Sequence, residues 1–178
     1  MWSTLAAVVA SHDGSKLALF AQSLAFDSLL TAANAQLARL HPRYALRRLE
    51  EGANDGARRP RTTTLLDMVV VDRELADAIR PVTTLSGGER FLVSLALALG
   101  LSSLASRRRK LASMFIDEGF GTLDPETLSV ALGVLDALQA SGTRVGIISH
   151  VSELRERLQA RVVVQRRGDG TSTVRIEG

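Results

Sequence analysis

Apolar residues Phe26, Leu30, Ala33, Leu37 and Leu40 recur at alternating spacings of four and three, which lines one face of a helix running from Phe20 to His41 until Pro42 stops it. The stripe reads as a core face, the commoner case, or as the foot of a coiled coil, and the span is too short for sustained heptads to decide between them. Tyr44 to Glu50 and Thr64 to Asp72 are patterned as strands around a polar loop containing Asn54-Asp55-Gly56, which predicts a hairpin with a long tip. After Pro81, the pentapeptide Leu85-Ser86-Gly87-Gly88-Glu89 opens an Ala/Leu-rich run to about Ala105, apolar on so many sides that it predicts a largely buried helix. Leu111 to Ile116 is short and continuously apolar and ends in Asp117-Glu118, as for a strand buried on both faces of a parallel sheet. Pro125 suits the first turn of a helix that Ser141-Gly142 closes near Ala140. Val145 to Ile148 makes the next strand, ending at Ser149-His150, and Val151 to Leu158 reads as helical. Arg161 to Arg167 and Thr171 to Ile176, joined through Gly168-Asp169-Gly170, form an edge hairpin. Strands alternating with helices predict an α/β fold: a mostly parallel central sheet with flanking helices and antiparallel hairpins.

Composition narrows this picture. A chain of 178 residues that is 46% hydrophobic fits one domain with a buried core and is not a disordered tail. With no cysteine, disulfide frameworks and thiolate metal sites are excluded. The early apolar stretch Leu5 to Ala10 lacks a basic flank and is too short for a signal or a membrane span, so the expectation is a cytoplasmic protein without a membrane partner. A formal net charge of +3, carried almost wholly by arginine, permits contact with phosphate without demanding it. Arg39, Arg43, Arg47, Arg48, Arg58, Arg59 and Arg61 make a basic stretch that reads as a solvated face, with a DNA-facing patch as the alternative; Tyr44 alone among Phe, Trp and Tyr interleaves, too little to stack a run of bases. Arg107 to Lys110 reads as a solvated helix end.

The residues able to carry chemistry stand at element ends. Ser86-x-x-Glu89 before an apolar helix is a capping box, but Gly87 and Gly88 each cost roughly 1 kcal/mol relative to Ala in a first turn. Their compensation is close backbone approach to an anion at the positive end of the helix, phosphate being the natural guest. On the pentapeptide alone, cap and phosphate site are both open. Asp117 and Glu118 stand at the carboxyl end of a strand, where open α/β sheets hold ligands. Adjacent carboxylates in a drying site need a cation, and Mg²⁺ is the simplest. Because neighbours on an extended chain point to opposite sides, Asp117 is assigned to the metal and Glu118 to the attacking water as general base. A lone His150 would be a loop histidine; with the glycines and carboxylates it completes the constellation that phosphoryl transfer needs. A P-loop, G-x-x-x-x-G-K-[ST], is missing: the only lysines, Lys16 and Lys110, sit in the wrong contexts.

Together these segments resemble the ABC/SMC class of ATPase heads: Leu85 to Glu89 the signature motif, Met114 to Glu118 Walker B, Gly121-Thr122-Leu123-Asp124 the D-loop and His150 the switch histidine. The wording Phe115 to Asp124, with Gly119-Phe120-Gly121 after the glutamate, is similar to SbcC exonuclease subunits rather than to transporters, as are Ala33-Asn34, Arg43-Tyr44 and Ile147 to Val151. The resemblance implies a C-terminal lobe of a P-loop NTPase head over residues 20–178, with residues 1–19 at the return of a coiled coil or in a linker. It also implies a P-loop on a separate N-terminal lobe, two heads sandwiching ATP and Mg²⁺, and Ser86, Gly87, Gly88 and Glu89 meeting the nucleotide held by the other head. A Mn²⁺-dependent SbcD-type nuclease and DNA are the further partners implied. The rival readings are a chromosome-organising SMC head, a transporter's nucleotide-binding domain and an inactive stand-alone fragment.

Overall fold

The computed structural model describes residues 15–49, 67–106, 112–158 and 160–178. Residues 1–14 of the expected coil-return segment lie outside them, as do the hairpin tip with Asn54-Asp55-Gly56, Arg58, Arg59, Arg61, Arg107 to Lys110 and Leu111.

Helix α1 (Ser15–Leu40) runs unbroken through the division expected near Phe20. Its stripe is a core face: Leu30, Ala33, Leu37 and Leu40 are buried and Phe26 packs beside them. Leu17, Phe20 and Leu24, closer to its start, are exposed. Strands β1 (Tyr44–Arg48) and β2 (Met68–Asp72) pair antiparallel, as the patterning predicts. The segment beyond β2 departs from the sequence reading. Asp72 accepts from the Glu74 amide and caps a short 3₁₀ turn, Ala76 and Asp77 take positive φ, and the chain doubles back as β3 (Ala78–Pro81) against β2. Four residues ending in proline carry no alternation long enough to signal a strand.

Helix α2 (Gly87–Ser106) lies across α1, with Leu92, Val93, Leu95, Ala96 and Leu99 in the core. The two backbones touch at one point: a Cβ on Gly100 would stand 2.6 Å from the Ala33 nitrogen. By length and composition Gly87–Ala105 is apolar enough to cross a membrane; 39% of it is buried within the fold.

Strand β4 (Ser113–Asp117), helix α3 (Pro125–Ala140) and strand β5 (Arg144–Ile148) form a β-α-β unit with the strands parallel. A short helix α4 (Ser152–Arg157) follows, and β6 (Arg161–Arg166) and β7 (Ser172–Glu177) close the chain as an antiparallel hairpin. The expectation that β4 is buried on both faces fails. Ile116 is buried beside Leu128, Ala131, Leu132 and Leu135 of α3, but Phe115 on the other face is 75% exposed and Ile148 of β5 is exposed too. Phe115 lies over Gly146, where a Cβ would meet its ring at 2.6 Å. The hairpin is bare in the same way: the cross-strand pairs Val162–Ile176 and Val164–Val174 are all exposed.

Candidate functional site

The site begins where β4 runs out. Asp117 is the last strand residue, paired in register with Ile148, and its side chain is exposed. The Glu118 amide still donates to the Ile148 carbonyl at 2.9 Å, but Glu118 takes φ +56° and Gly119 follows at φ +97°. Two left-handed residues in succession turn the chain sharply out of the sheet, and the first costs a non-glycine residue roughly 1 kcal/mol or more. Glu118 is therefore presented by this turn rather than by the alternation of an extended chain that the sequence suggests. The turn sets Glu118 against the end of β5, where His150 Nδ1 stands 2.9 Å from Glu118 Oε2. Both side chains face solvent, 77% exposed for His150 and 54% for Glu118, so nothing in the described chain covers the acid–base pair.

The next turn, Phe120–Thr122, joins this pair to the start of α2. On one side a Cβ at Gly121 would stand 3.7 Å from His150 Nε2; on the other, a Cβ at Gly88 would stand 2.8 Å from the Thr122 carbonyl oxygen and 3.4 Å from Leu123 Cδ2. Phe91, one turn into α2, packs edge-on against Phe120 at 4.8 Å and lies over Gly119. Gly88 thus has a use the sequence did not show: it makes room for the chain's own turn, so its lack of a Cβ is not by itself the mark of a ligand. Gly87, with Thr122 Cγ2 at 3.6 Å, is not so confined.

Ser86 and Glu89 form the predicted capping box. The Glu89 amide donates to Ser86 Oγ at 3.3 Å, and the Ser86 amide donates to Glu89 Oε2 at 2.7 Å. The Tyr44 hydroxyl donates to the other carboxylate oxygen at 2.6 Å. Partial burial works against the charge on Glu89, but hydrogen bonds from Tyr44 and Ser86 outweigh it and hold the carboxyl below its ordinary range. Burial, reinforced by Glu89, pushes the Tyr44 phenol up. Asp124 caps α3: its carboxylate accepts from the Thr127 hydroxyl at 2.6 Å and the Thr127 amide at 2.9 Å, bonds that lower its pKa. Its side chain is committed to starting that helix.

Of the basic stretch, Arg43 forks onto Asp72 at 2.8 Å through each nitrogen and Arg48 pairs with Asp27 at 3.0 Å. Both of these arginines are thus engaged within the fold rather than held free for a DNA backbone. Among the described residues no group of three metal-ligating side chains exists. Mg²⁺ keeps several waters and needs only one or two carboxylates from a protein, and Asp117, exposed at the strand end, is a carboxylate that could serve as one.

With this geometry in view, comparison with known proteins is decisive. The family described as SbcC/RAD50-like, Walker B motif, matches residues 55–137. The SbcC component of nuclease SbcCD from Pseudomonas aeruginosa is 45% identical over 99% of this chain, and that from Rhodobacter capsulatus 40% identical over all of it. The chain belongs to the SbcC/RAD50-like family. It spans 14% and 13% of the lengths of those two relatives. A solved structure described by ATP-driven dimerization and DNA stimulated activation of SMC ATPases superposes with a TM-score of 0.63 at 16% identity, covering 90% of this chain and 89% of that one, which establishes an SMC-type head fold.

Of the residues predicted from the sequence, the structure brings Glu118 to His150 and sets the Phe120–Thr122 turn against Gly88, while Asp117 and Asp124 stand at the ends of their own elements. Tyr44, Phe91, Gly119 and Thr122 organise the site, and only Gly119, a glycine directly after an acidic strand end, carries a local signal.

Proposed function

We propose that this chain is the C-terminal lobe of the ATPase head in an ATP-dependent SbcC-type nuclease complex, and that its Mg-ATP site is complete only with two further pieces. An N-terminal P-loop lobe holds the nucleotide, and a second copy of the head presents Ser86, Gly87, Gly88 and Glu89 to the γ-phosphate in trans. The observation that carries this reading is the Glu118–His150 pair at 2.9 Å, open to solvent and joined through the Phe120–Thr122 turn to the glycine-bearing start of α2, in a sequence without a P-loop. Mg²⁺, when bound, would neutralise phosphate charge, with Asp117 as its protein ligand. Glu118 takes the proton of the attacking water, and His150 holds the Glu118 carboxylate in place and donates toward developing phosphate charge. The D-loop residue Asp124 keeps its position by capping α3. The bare faces at Phe115 and Ile148 and on the β6–β7 hairpin need a cover, which the P-loop lobe provides.

In this reading residues 1–19 lead into a coiled coil, the complex works in the cytoplasm, and a Mn²⁺-dependent SbcD-type nuclease cuts DNA when ATP resets the heads. Mixing the chain with an SbcC-type P-loop lobe should give a two-headed species with a non-hydrolysable ATP analogue, seen by light scattering. Ser86→Arg should hold it at one head. A mass that ignores nucleotide refutes the proposal. The SMC-type alternative shares the fold; capture of a nuclease partner from the cognate complex distinguishes the two.

A further inference from the structure

A capping box is complete once serine and glutamate have exchanged their two hydrogen bonds, so the third bond to Glu89 calls for a reason. Its donor, Tyr44, is 2% exposed and held on several sides. The His41 ring stacks on it at 4.9 Å, and the Arg43 and Arg80 guanidinium carbons stand 5.1 and 5.7 Å from its ring centroid. Both arginines are anchored in turn on Asp72, which is wholly buried: Arg43 by two bonds of 2.8 Å, Arg80 at 3.5 Å. Packing therefore fixes the Tyr44 hydroxyl, the hydroxyl fixes one oxygen of Glu89, and the other oxygen fixes the Ser86 amide.

We propose that Tyr44 is a positioning residue, which fastens the Ser86–Gly88 turn to the β1–β2–β3 sheet so that it is aimed before a phosphate arrives. Resting on the function proposed above, it names what holds that half of the site. Two glycines give this turn more backbone freedom than any other pair of residues, and freedom left unfrozen is lost again on engaging a ligand. A buried hydroxyl with no bond to the nucleotide removes it in advance. Since the P-loop lobe grips the nucleotide, misaiming the turn slows the chemical step rather than weakening ATP binding.

Tyr44→Phe keeps the ring, its stack and the cations over it and deletes one oxygen. Hydrogen exchange on the chain should show the amides of Ser86, Glu89 and Arg90 opening about fivefold faster, the worth of one hydrogen bond, with the rest of α1 and α2 unchanged. Glu89→Gln, which leaves Tyr44 in place, should loosen the same amides. With the P-loop lobe added, Tyr44→Phe should lower kcat roughly tenfold while KM for ATP moves less than about twofold. Unaltered exchange at Ser86, Glu89 and Arg90, protection lost evenly along the chain, or an unchanged kcat would overturn the assignment. If the wild-type mixture turns over no ATP, the Mg-ATP reading fails, and the exchange measurement alone then decides the role of Tyr44.

Discussion

Gly119→Ala tests the turn that displays Glu118. Two costs add. At φ +97° an alanine pays about 1–2 kcal/mol for the left-handed backbone. Its Cβ would also overlap the Phe91 ring, 2.9 Å from Cγ and nearer still to two other ring carbons, and such overpacking costs about 1–3 kcal/mol. The sum, roughly 2–5 kcal/mol, is large against the ~5–15 kcal/mol of a typical domain. Urea unfolding of the wild type, Gly119→Ala, Phe91→Ala and the double variant separates the terms. Removing the ring relieves the overlap but not the backbone cost, so the double-mutant cycle should show a coupling of about 1–3 kcal/mol that favours the pair. Strict additivity would mean that Phe91 does not press on Gly119 and that the link between α2 and the Glu118 turn is wrong.

Three further outcomes follow from other parts of the structure. Asn34 bridges both backbone groups of Leu46, donating at 2.8 Å and accepting at 2.7 Å, so Asn34→Ala should cost about 2 kcal/mol in denaturant unfolding. The lowered pKa of Glu89 means that its stabilisation is complete above the ordinary value of 4.5 and is lost as pH falls through its lower folded value; the melting temperature should drop below about pH 4.5, less steeply in Glu89→Gln. Carbene footprinting should label Phe115, Val162, Val174 and Ile176 strongly in the isolated chain and weakly once a P-loop lobe is added; equal labelling in both would deny that this lobe covers those faces.

Features with a local period or a local cap are readable from the sequence. The α1 stripe, the helix start at Pro125 and the Ser86–Glu89 box each depend on residues within about one or two turns, and all three stand in the structure. What escapes depends on residues far apart in the chain. Nothing near Tyr44 announces Glu89, 45 positions away, and nothing near Gly88 announces that Thr122 needs its space. β4 also differs from its expected burial. Its uniformly apolar run predicts burial on two faces, but among the described residues Ile116 is buried in the core while Phe115 on the other face is bare.

The claim on which the account depends is that this chain holds the acid, base and signature turn of an ATP site while the phosphate cradle is elsewhere. Phosphate release measured for the chain alone, with an SbcC-type P-loop lobe, and with that lobe plus Glu118→Gln tests it most directly. The account predicts no turnover alone, turnover in the mixture and its loss in the variant. Turnover by the chain alone, or a Glu118→Gln mixture as active as the wild type, would contradict it.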